Sequence, residues 1–299
     1  MKKPNFVISG FPKCGTTSLH HYLNEHPQIY MPIQKELHFF TFEILSKLNK
    51  GPLDKIVKES QIDNSEKYLS YYQNVKKENA IGDTSPSYIN YPSQFFRIKK
   101  YLNDPKIIIL LRDPISRAYS NYLHLKREGR ETLSFKDAIE IEDQRREAQY
   151  SDFWYYKFNS TYYEKIIKAK KVFSNVLILT TEELSEDPKT TLKKVYKFLD
   201  VDESFESKKT SEKFNVGGNY TVNFFTKILF QPSKLKNTVK KFIKPTSFVK
   251  IILMRLASIF NIKPAKIDES LIIDLKQNFR EDVANLKKLD IDMLNWRDY

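Results

Sequence analysis

The segment Phe6–Leu19, FVISGFPKCGTTSL, constrains the fold more than any other part of the chain. Its apolar start predicts a buried strand, which Gly10, Pro12 and Gly15 then interrupt. A helical pattern begins at Thr16. A loop between a strand and a helix binds phosphate well, because its main-chain N–H groups and the positive end of the helix dipole both face the anion. The segment therefore predicts an α/β protein with an anion-binding loop.

The two glycines of this loop have the spacing of a Walker A loop, but the lysine stands elsewhere. A Walker A loop carries Lys directly after its second glycine. Here Thr16 and Thr17 follow Gly15, and Lys13 lies inside the loop. The glycine pair alone fits a tight turn with a solvated lysine equally well. The whole stretch PKCGTTSL favours an anion site that differs from the Walker type.

The stretch PKCGTTSL resembles the 5′-phosphosulfate loop of the sulfotransferases that use 3′-phosphoadenosine 5′-phosphosulfate (PAPS). A second segment, Lys35–Phe40 (KELHFF), is similar to the K-E-x-H-F-F segment of heparan sulfate sulfotransferases and their bacterial relatives. The resemblance implies that the loop and the start of the helix bind the nucleotide. The residues so implied are Lys13, Cys14, Gly15, Thr16, Thr17 and Ser18.

The resemblance also implies catalytic roles for Lys13, Glu36 and His38. Glu36 would take the proton from the acceptor hydroxyl, which requires the two groups to lie within hydrogen-bond reach. Lys13 would neutralise the charge that develops on the oxygen between sulfur and phosphorus. His38 would be a second polar contact near the same place. Without the upstream loop, the segment reads as a helix start with Glu36 exposed and His38 packed.

Residues 80–88, AIGDTSPSY, read as a short strand that ends in a polar turn. They resemble the E-K-x-P-x-Y segment of the same family, with one departure. Thr84 stands where the family has lysine, so the contact that such a lysine would make with the sulfuryl oxygens or the acceptor has no counterpart at this position.

The run Lys106–Leu111 (KIIILL) is the clearest buried parallel strand, because it is short, continuous and rich in β-branched residues. Arg112 follows it directly, and Ser120 lies about two helical turns further on. The stretch R-D-P-x-x-R-A-Y-S-N-Y is similar to the family's 3′-phosphate site, with a bidentate Arg112 and one bond from Ser120. Arg117 is expected on the helix surface in a salt bridge.

Two later stretches carry weaker signals. Asp152–Lys171 is predicted as an aromatic-rich helix, whose rings either belong to the core or stack on sugar or adenine. Residues 208–221 form a basic loop with two glycines. In related enzymes a late basic loop closes over the 3′-phosphate, which implies contacts from Lys213, Gly217 and Gly218; a solvated loop is the simpler interpretation.

The stretch at about 224–262 is an unusual insertion, because residues 224–260 hold eight Lys or Arg and no Asp or Glu among large apolar residues. Such a basic amphipathic segment can lie on an anionic membrane. The alternative is a helical subdomain packed on the core. Peripheral contact with an anionic membrane, at its inner face, would suit an acceptor carried on a lipid.

Composition limits the remaining classes. The chain has 299 residues, 40% of them hydrophobic, and a single cysteine, which excludes an internal disulfide and fits a reducing, cytoplasmic location. The first apolar run is too short for a signal peptide, and nothing reaches the about 18 apolar residues of a membrane span. The net charge of +13 suits anionic partners. Without a nucleic-acid module signature, we expect no nucleic-acid partner.

Together these features predict residues 1–299 as a single α/β domain with a P-loop-like three-layer fold, in which helices flank a central parallel β-sheet. The predicted function is transfer of a sulfuryl group from PAPS to a hydroxyl, or an amine, of a carbohydrate or glycolipid. No metal is expected, because Lys13 and the loop would neutralise the developing charge. The alternatives are a P-loop-type kinase and a non-catalytic basic protein that binds glycans or membranes.

Overall fold

The computed structural model describes residues 2–58, 61–211, 219–220, 231–233, 261–262, 265–289, 291–293 and 295–299. A five-stranded sheet with the order β2-β3-β1-β4-β5 forms the centre, and its paired strands run in parallel. A short antiparallel pair, β6 with β7, lies apart from it. The strands are β1 (Phe6–Gly10), β2 (Ile29–Tyr30), β3 (Ala80–Thr84), β4 (Lys106–Leu111), β5 (Val176–Thr180), β6 (Asn219–Tyr220) and β7 (Asn261–Ile262).

Helices connect the parallel strands, as parallel pairing requires. The α-helices are α1 (Thr16–Leu23), α2 (Phe42–Leu45), α3 (Asp54–Lys58), α4 (Ser65–Ser70), α5 (Phe95–Leu102), α6 (Pro114–Arg127), α7 (Phe135–Glu140), α8 (Glu142–Glu147), α9 (Tyr163–Val172), α10 (Thr181–Glu186), α11 (Pro188–Phe198) and α12 (Glu269–Leu286). Short 3₁₀ helices lie at Phe39–Thr41, Tyr88–Asn90, Pro92–Gln94, Asp152–Trp154, Phe158–Ser160, Lys208–Ser211 and Lys287–Leu289.

The sheet order places the carboxyl ends of three strands side by side. Strand β1 pairs with β3 on one side and with β4 on the other. Every residue of β1 is buried, and so is every residue of β4 except its first, which explains their continuous apolar sequences. In open parallel sheets ligands bind outside the carboxyl ends of the strands, so a ligand is expected at this edge.

The parallel pairing of all five central strands, with helices between them, confirms the predicted α/β fold with a central parallel sheet.

The prediction of one aromatic-rich helix over 152–171 is wrong. Two 3₁₀ turns precede α9, and Thr161 has an extended main chain. The Asn159 side chain donates to the main-chain oxygens of Asp152 and Tyr155, at 2.6 and 2.8 Å. The Tyr155 N–H donates to the Asp152 carbonyl at 3.1 Å, an i+3 bond of the 3₁₀ type in place of the i+4 bond of an α-helix. Several rings of this stretch are core residues: Trp154, Tyr156 and Tyr162 are buried.

The prediction of a single domain over 1–299 stays a prediction. The basic insertion at about 224–262 lies outside the described residues, apart from 231–233 and 261–262.

Candidate functional site

The loop between β1 and α1 makes a tight turn at the carboxyl end of the sheet. Lys13 and Gly15 both have positive φ angles, 71° and 81°. Gly15 is the residue before α1, and only glycine adopts this conformation without a steric cost. The Cys14 side chain is fully buried, and the main-chain N–H of Cys14 donates to the Phe11 carbonyl at 3.2 Å. Cys14 therefore serves the turn and the core, and the contact with a nucleotide that the resemblance implies for it stays a prediction.

A buried arginine holds this loop against helix α6. Arg117 is fully buried, and its Nε donates to the Pro12 carbonyl at 3.1 Å. Its Nη1 donates to the Tyr156 carbonyl and to Ser160 Oγ, at 3.0 and 3.1 Å. The expectation of a surface salt bridge for Arg117 is thus wrong. The reason is that uncapped loop carbonyls need donors inside the protein, and a guanidinium supplies five.

One cavity of about 860 Å³ brings most of the predicted residues together. Its walls come from the loop, the start of α1, the KELHFF segment, the end of β4 and one face of α6. The predicted site residues that line it are Lys13, Gly15, Thr16, Thr17, Ser18, Glu36, His38, Arg112 and Ser120. Residues far apart in the chain therefore meet in one place.

The end of β3 fixes the segment that carries Glu36 and His38. The Glu36 N–H donates to the Thr84 carbonyl at 2.6 Å, and the His38 N–H donates to Ser85 Oγ at 3.4 Å. Both Glu36 and His38 have positive φ angles, 60° and 54°. Such a conformation costs of order 1–3 kcal/mol per residue and tends to cluster at functional sites. The main chain here is bent so that both side chains face the cavity.

The candidate base carries its charge beside two lysines. Lys35 forms an ion pair with Glu36. Burial raises the pKa of Glu36, but Lys35 first, with His38 and Lys13, lowers it to about 2 overall. Burial also lowers the pKa of Lys13 to about 8, although Glu36 opposes this. The Glu36 carboxylate and the Lys13 ammonium group are therefore both charged at neutral pH.

His38 is a neutral group held in one orientation. Its Nδ1 lies 2.7 Å from Ser87 Oγ, which also contacts Thr41 Oγ1 at 3.1 Å. Burial lowers the pKa of His38 to about 4. A neutral imidazole can donate from one nitrogen and accept at the other. His38 therefore offers a hydrogen bond, and no charge, to whatever lies beside Glu36.

Thr84, which replaces the family lysine, has a partner inside the protein. Its hydroxyl lies 2.9 Å from Nδ1 of His20 on α1. His20 also hydrogen-bonds to the Pro32 carbonyl, and burial lowers the pKa of His20 to about 3. A carbonyl only accepts, so the other ring nitrogen donates there and Nδ1 accepts from Thr84. Thr84 thus joins β3 to α1 below the loop.

One face of α6 lines the cavity with regular spacing. Ser116, Ser120 and His124 lie four residues apart, and Arg127 follows on the same face. Arg127 Nη2 donates to His124 Nδ1 at 2.8 Å. The resemblance predicted only Ser120. The four-residue spacing that continues from it could have identified the others, since residues at i and i+4 share a helix face.

The late basic loop lies only partly within the structure. Lys213, Gly217 and Gly218 fall outside the described residues, so their contact with a nucleotide stays a prediction. Thr210, in the 3₁₀ helix Lys208–Ser211 just before them, lines the cavity. The chain that enters the loop therefore reaches the site.

Two absences concern only the described ranges. Within them, no group of three or more His, Cys, Asp or Glu side chains could hold a metal ion. No helix in the same part of the chain has the length and apolar character that crossing a membrane requires.

Comparison with known proteins gives one family. Residues 4–206 match the model of a family described as the sulfotransferase family. A solved structure, a sulfotransferase from Alicyclobacillus acidocaldarius, superposes with a TM-score of 0.79 at 29% identity, and the match covers 100% of both chains.

Curated relatives show more distant similarity. The membrane-associated sulfotransferase kil1 of Dictyostelium discoideum is 35% identical over 119 residues, which cover 40% of this chain. Carbohydrate sulfotransferase 15 of Mus musculus is 27% identical over 246 residues, which cover 66% of this chain. The chain spans 22% of the Dictyostelium protein and 44% of the mouse protein.

Proposed function

Because the chain belongs to the sulfotransferase family, we propose that it transfers a sulfuryl group from PAPS to a hydroxyl, or an amine, of a carbohydrate or glycolipid. The observation that carries the proposal is the single cavity shared by Lys13, Glu36 and Arg112. It combines a lysine-bearing anion loop, a carboxylate and a distant arginine. The loop and its lysine suit the phosphosulfate, the carboxylate suits the acceptor proton, and the arginine suits a second phosphate of the donor.

The residues present suit an adenosine bisphosphate donor. The volume of about 860 Å³ lies in the range of ligand pockets, which is roughly 300–1,000 Å³. Lys13 supplies one cation from the loop after β1, and Arg112 supplies a second from the end of β4, with the Ser120 hydroxyl beside it on α6. PAPS carries one anionic group at each end of its nucleoside. The donor set thus matches the charge pattern of the nucleotide.

The loop and the start of α1 would hold the 5′-phosphosulfate. Main-chain N–H groups after Gly15, with the hydroxyls of Thr16, Thr17 and Ser18, supply neutral donors at the positive end of a helix. Lys13 supplies the charge. Arg112 and Ser120 would hold the 3′-phosphate, because a guanidinium binds phosphate through two parallel hydrogen bonds.

Glu36 would accept the proton of the acceptor hydroxyl. The hydroxyl oxygen then forms its bond to sulfur while the bond from sulfur to the donor's bridging oxygen breaks. Lys13 would neutralise the charge left on that bridging oxygen. Positive charge placed in advance where negative charge develops is usually the largest catalytic term, and the loss of one such donor costs about 10²–10³ in rate.

The remainder of the cavity would hold the acceptor. His38 lies near Lys58, and Lys58 in turn lies near Asp152. The cavity walls here mix charged, amide and aromatic groups: Lys58, Gln61, Arg127, Asp152 and Phe153. Phe153 is half-buried, so part of its ring can pack on the apolar face of a sugar, while the charged and amide groups can bind sugar hydroxyls. Carbohydrate sulfotransferase 15 of Mus musculus is named for a carbohydrate acceptor. Heparan sulfate glucosamine 3-O-sulfotransferase 3B1 of the same organism, which is 25% identical over 203 residues, is named for heparan sulfate. Both names support a glycan acceptor.

The test begins with the donor. In a thermal-shift assay, 3′-phosphoadenosine 5′-phosphate (PAP) should raise Tm, since a ligand that binds only the folded state stabilises it. ATP with Mg²⁺ should do so less. A screen of polysaccharides, lipid-linked oligosaccharides and glycolipids with ³⁵S-labelled PAPS should then give a labelled product. Stabilisation by ATP–Mg²⁺ alone would support a kinase. PAP binding with no transfer to any acceptor in the screen would support a non-catalytic binding protein.

A further inference from the structure

The last residues of the chain converge on the start of α6. The Arg297 N–H donates to Asp113 Oδ2 at 3.1 Å, and its guanidinium forms an ion pair with Asp113 Oδ1. The Tyr299 hydroxyl donates to Asp113 Oδ2 at 2.8 Å. Trp296 Nε1 donates to Glu182 Oε2 at 3.1 Å. Residues 296–299, here called the C-terminal clamp, therefore lie against the residue that follows Arg112.

The clamp brings a second guanidinium to the arginine end of the cavity. Arg297, Arg112, Ser116 and Ser120 all line the same cavity. Arg297 Nη1 donates to Ser116 Oγ at 2.7 Å. Because Ser116 accepts this bond, its own O–H proton is available to another acceptor. Ser116 lies one turn before Ser120 on the same helix face, so both hydroxyls can serve one anion.

The ion pair with Arg297 also changes the local charge at this end of the cavity. Asp113 is buried, with 3% of its surface exposed, and it is adjacent to the residue that would bind a phosphate. A carboxylate there repels an anion unless a cation compensates it. Arg297 supplies that cation, and about one third of its side chain stays exposed. Its planar fork carries five N–H donors, so Asp113 and Ser116 leave capacity for a phosphate.

We propose that Arg297 and Ser116 are phosphate-binding residues, which complete with Arg112 and Ser120 the recognition of the donor's 3′-phosphate. This inference rests on the proposed function, because it takes the donor to be a 3′-phosphorylated nucleotide. It assigns a role in specificity to a residue of the C-terminal clamp. No sequence signal near Arg112 points to it, since 184 residues separate Arg297 from its partner Asp113.

The test compares two nucleotides that differ only in the 3′-phosphate. Isothermal titration calorimetry of the full chain would measure Kd for PAP and for adenosine 5′-phosphate, with the ratio of the two as the readout. Arg297→Gln should weaken PAP about 10- to 100-fold, since a charge-assisted bond is worth about 1.5–3 kcal/mol. Binding of adenosine 5′-phosphate should change less than about twofold. Ser116→Ala should weaken PAP by a smaller factor, and Arg297→Lys should restore part of the ratio.

Tyr299→Phe is the matched control. It removes one hydrogen bond from the C-terminal clamp to Asp113 and leaves both cations in place, so the ratio should stay at the wild-type value. An equal loss in Tyr299→Phe and Arg297→Gln would assign the effect to the structure of the clamp and overturn the inference. Should Arg297→Gln fail to fold, Ser116→Ala decides, and an unchanged ratio in that variant overturns it.

The two proposals fail differently. A wild-type protein that binds PAP no better than adenosine 5′-phosphate would overturn the proposed function together with the inference. A wild-type protein that prefers PAP, with the preference intact in Arg297→Gln and in Ser116→Ala, would overturn the inference alone.

Discussion

Arg112 Nη1 donates to the main-chain carbonyl of Lys13 at 3.4 Å. This bond connects the end of β4 with the turn of the loop after β1. Tyr162 supports it, because its hydroxyl donates to the Arg112 carbonyl at 2.9 Å. The two ends of the proposed nucleotide site are thus joined through the protein itself. A change at Arg112 is expected to alter the loop as well as the phosphate contact.

Arg112→Ala should weaken PAP about 10- to 100-fold, because a charge-assisted bidentate contact is lost. Adenosine 5′-phosphosulfate lacks the 3′-phosphate, so its affinity should fall by a smaller factor. Arg112→Lys should keep the positive charge but lose the planar fork, so its affinity for PAP should lie between those of the wild type and Arg112→Ala. Competition binding measures the affinities of the wild type and of both variants for the two nucleotides. Equal losses for both nucleotides would place the effect in the loop, through the Lys13 carbonyl, and not at the phosphate.

The rate should fall on the alkaline side because of Lys13. Burial lowers its pKa to about 8, so the free enzyme loses this positive charge as the pH rises through 8. The pH profile of kcat/KM reports groups of the free enzyme. We therefore expect kcat/KM for PAPS to decline above pH 8. In Lys13→Arg the decline should disappear, since a guanidinium stays charged.

Removal of the same charge should reduce turnover directly. Lys13→Ala is expected to lower kcat by about 10²–10³, the usual effect of losing one transition-state donor. Lys189→Ala is the control, because this lysine on α11 is exposed and pairs with Glu206 at the surface. Wild-type turnover in Lys13→Ala would remove the lysine from catalysis.

Sequence reasoning predicted the parts of the site that depend on local order. The loop after β1 and Arg112 after β4 are local features: an apolar run marks each strand, and the polar residue that ends it must lie at the sheet edge. The resemblance named Ser120, and helix periodicity indicated that it can face the same way as Arg112. The segment with Glu36 and His38 was predicted by resemblance alone, and its φ angles of 60° and 54° explain why propensity could not predict its shape.

Contacts between distant parts of the chain were not predictable. Arg117 has the sequence context of a surface residue, yet it is buried because it satisfies carbonyls from a different segment. Arg297 reaches Asp113 only because the chain end folds back onto α6. Neither pairing produces a periodic pattern in the sequence. Such partners can be identified only from the three-dimensional structure.

Thr84→Val should destabilise the protein without touching the donor set. It removes the hydroxyl that His20 accepts from, and leaves a buried ring nitrogen unsatisfied. Such a loss costs about 1–3 kcal/mol. Urea unfolding should show a lower midpoint with an unchanged slope, since the same surface is exposed. Thr132→Val, at an exposed threonine, is the control and should shift the midpoint little. An unaltered midpoint in Thr84→Val would mean that solvent or another group replaces the hydroxyl.

The basic stretch at about 224–262 should bind anionic lipid. Its eight cationic residues and no acids give an attraction of about 1 kcal/mol per charge near the surface, which salt screens. In flotation assays, the protein should rise with vesicles that contain phosphatidylglycerol and stay behind with pure phosphatidylcholine. Lys240→Gln with Lys241→Gln should reduce flotation. Binding that is equal for both lipids, or absent for both, contradicts the prediction.

Glu36→Gln should separate transfer from binding. The amide keeps the shape of the side chain but cannot accept the acceptor proton, so kcat should fall by about 10²–10⁴, the range for general acid–base catalysis. PAP affinity should stay near the wild-type value, because loss of the carboxylate removes no donor to the nucleotide. The pKa of about 2 means that Glu36 is ionised across the physiological range, so its protonation should not limit the wild-type rate there.

Glu66→Gln, at an exposed position on α4, should match the wild type in both assays. A collapse of PAP binding in Glu36→Gln would instead show that the ion pair with Lys35 supports the loop, and would leave the identity of the base open to His38.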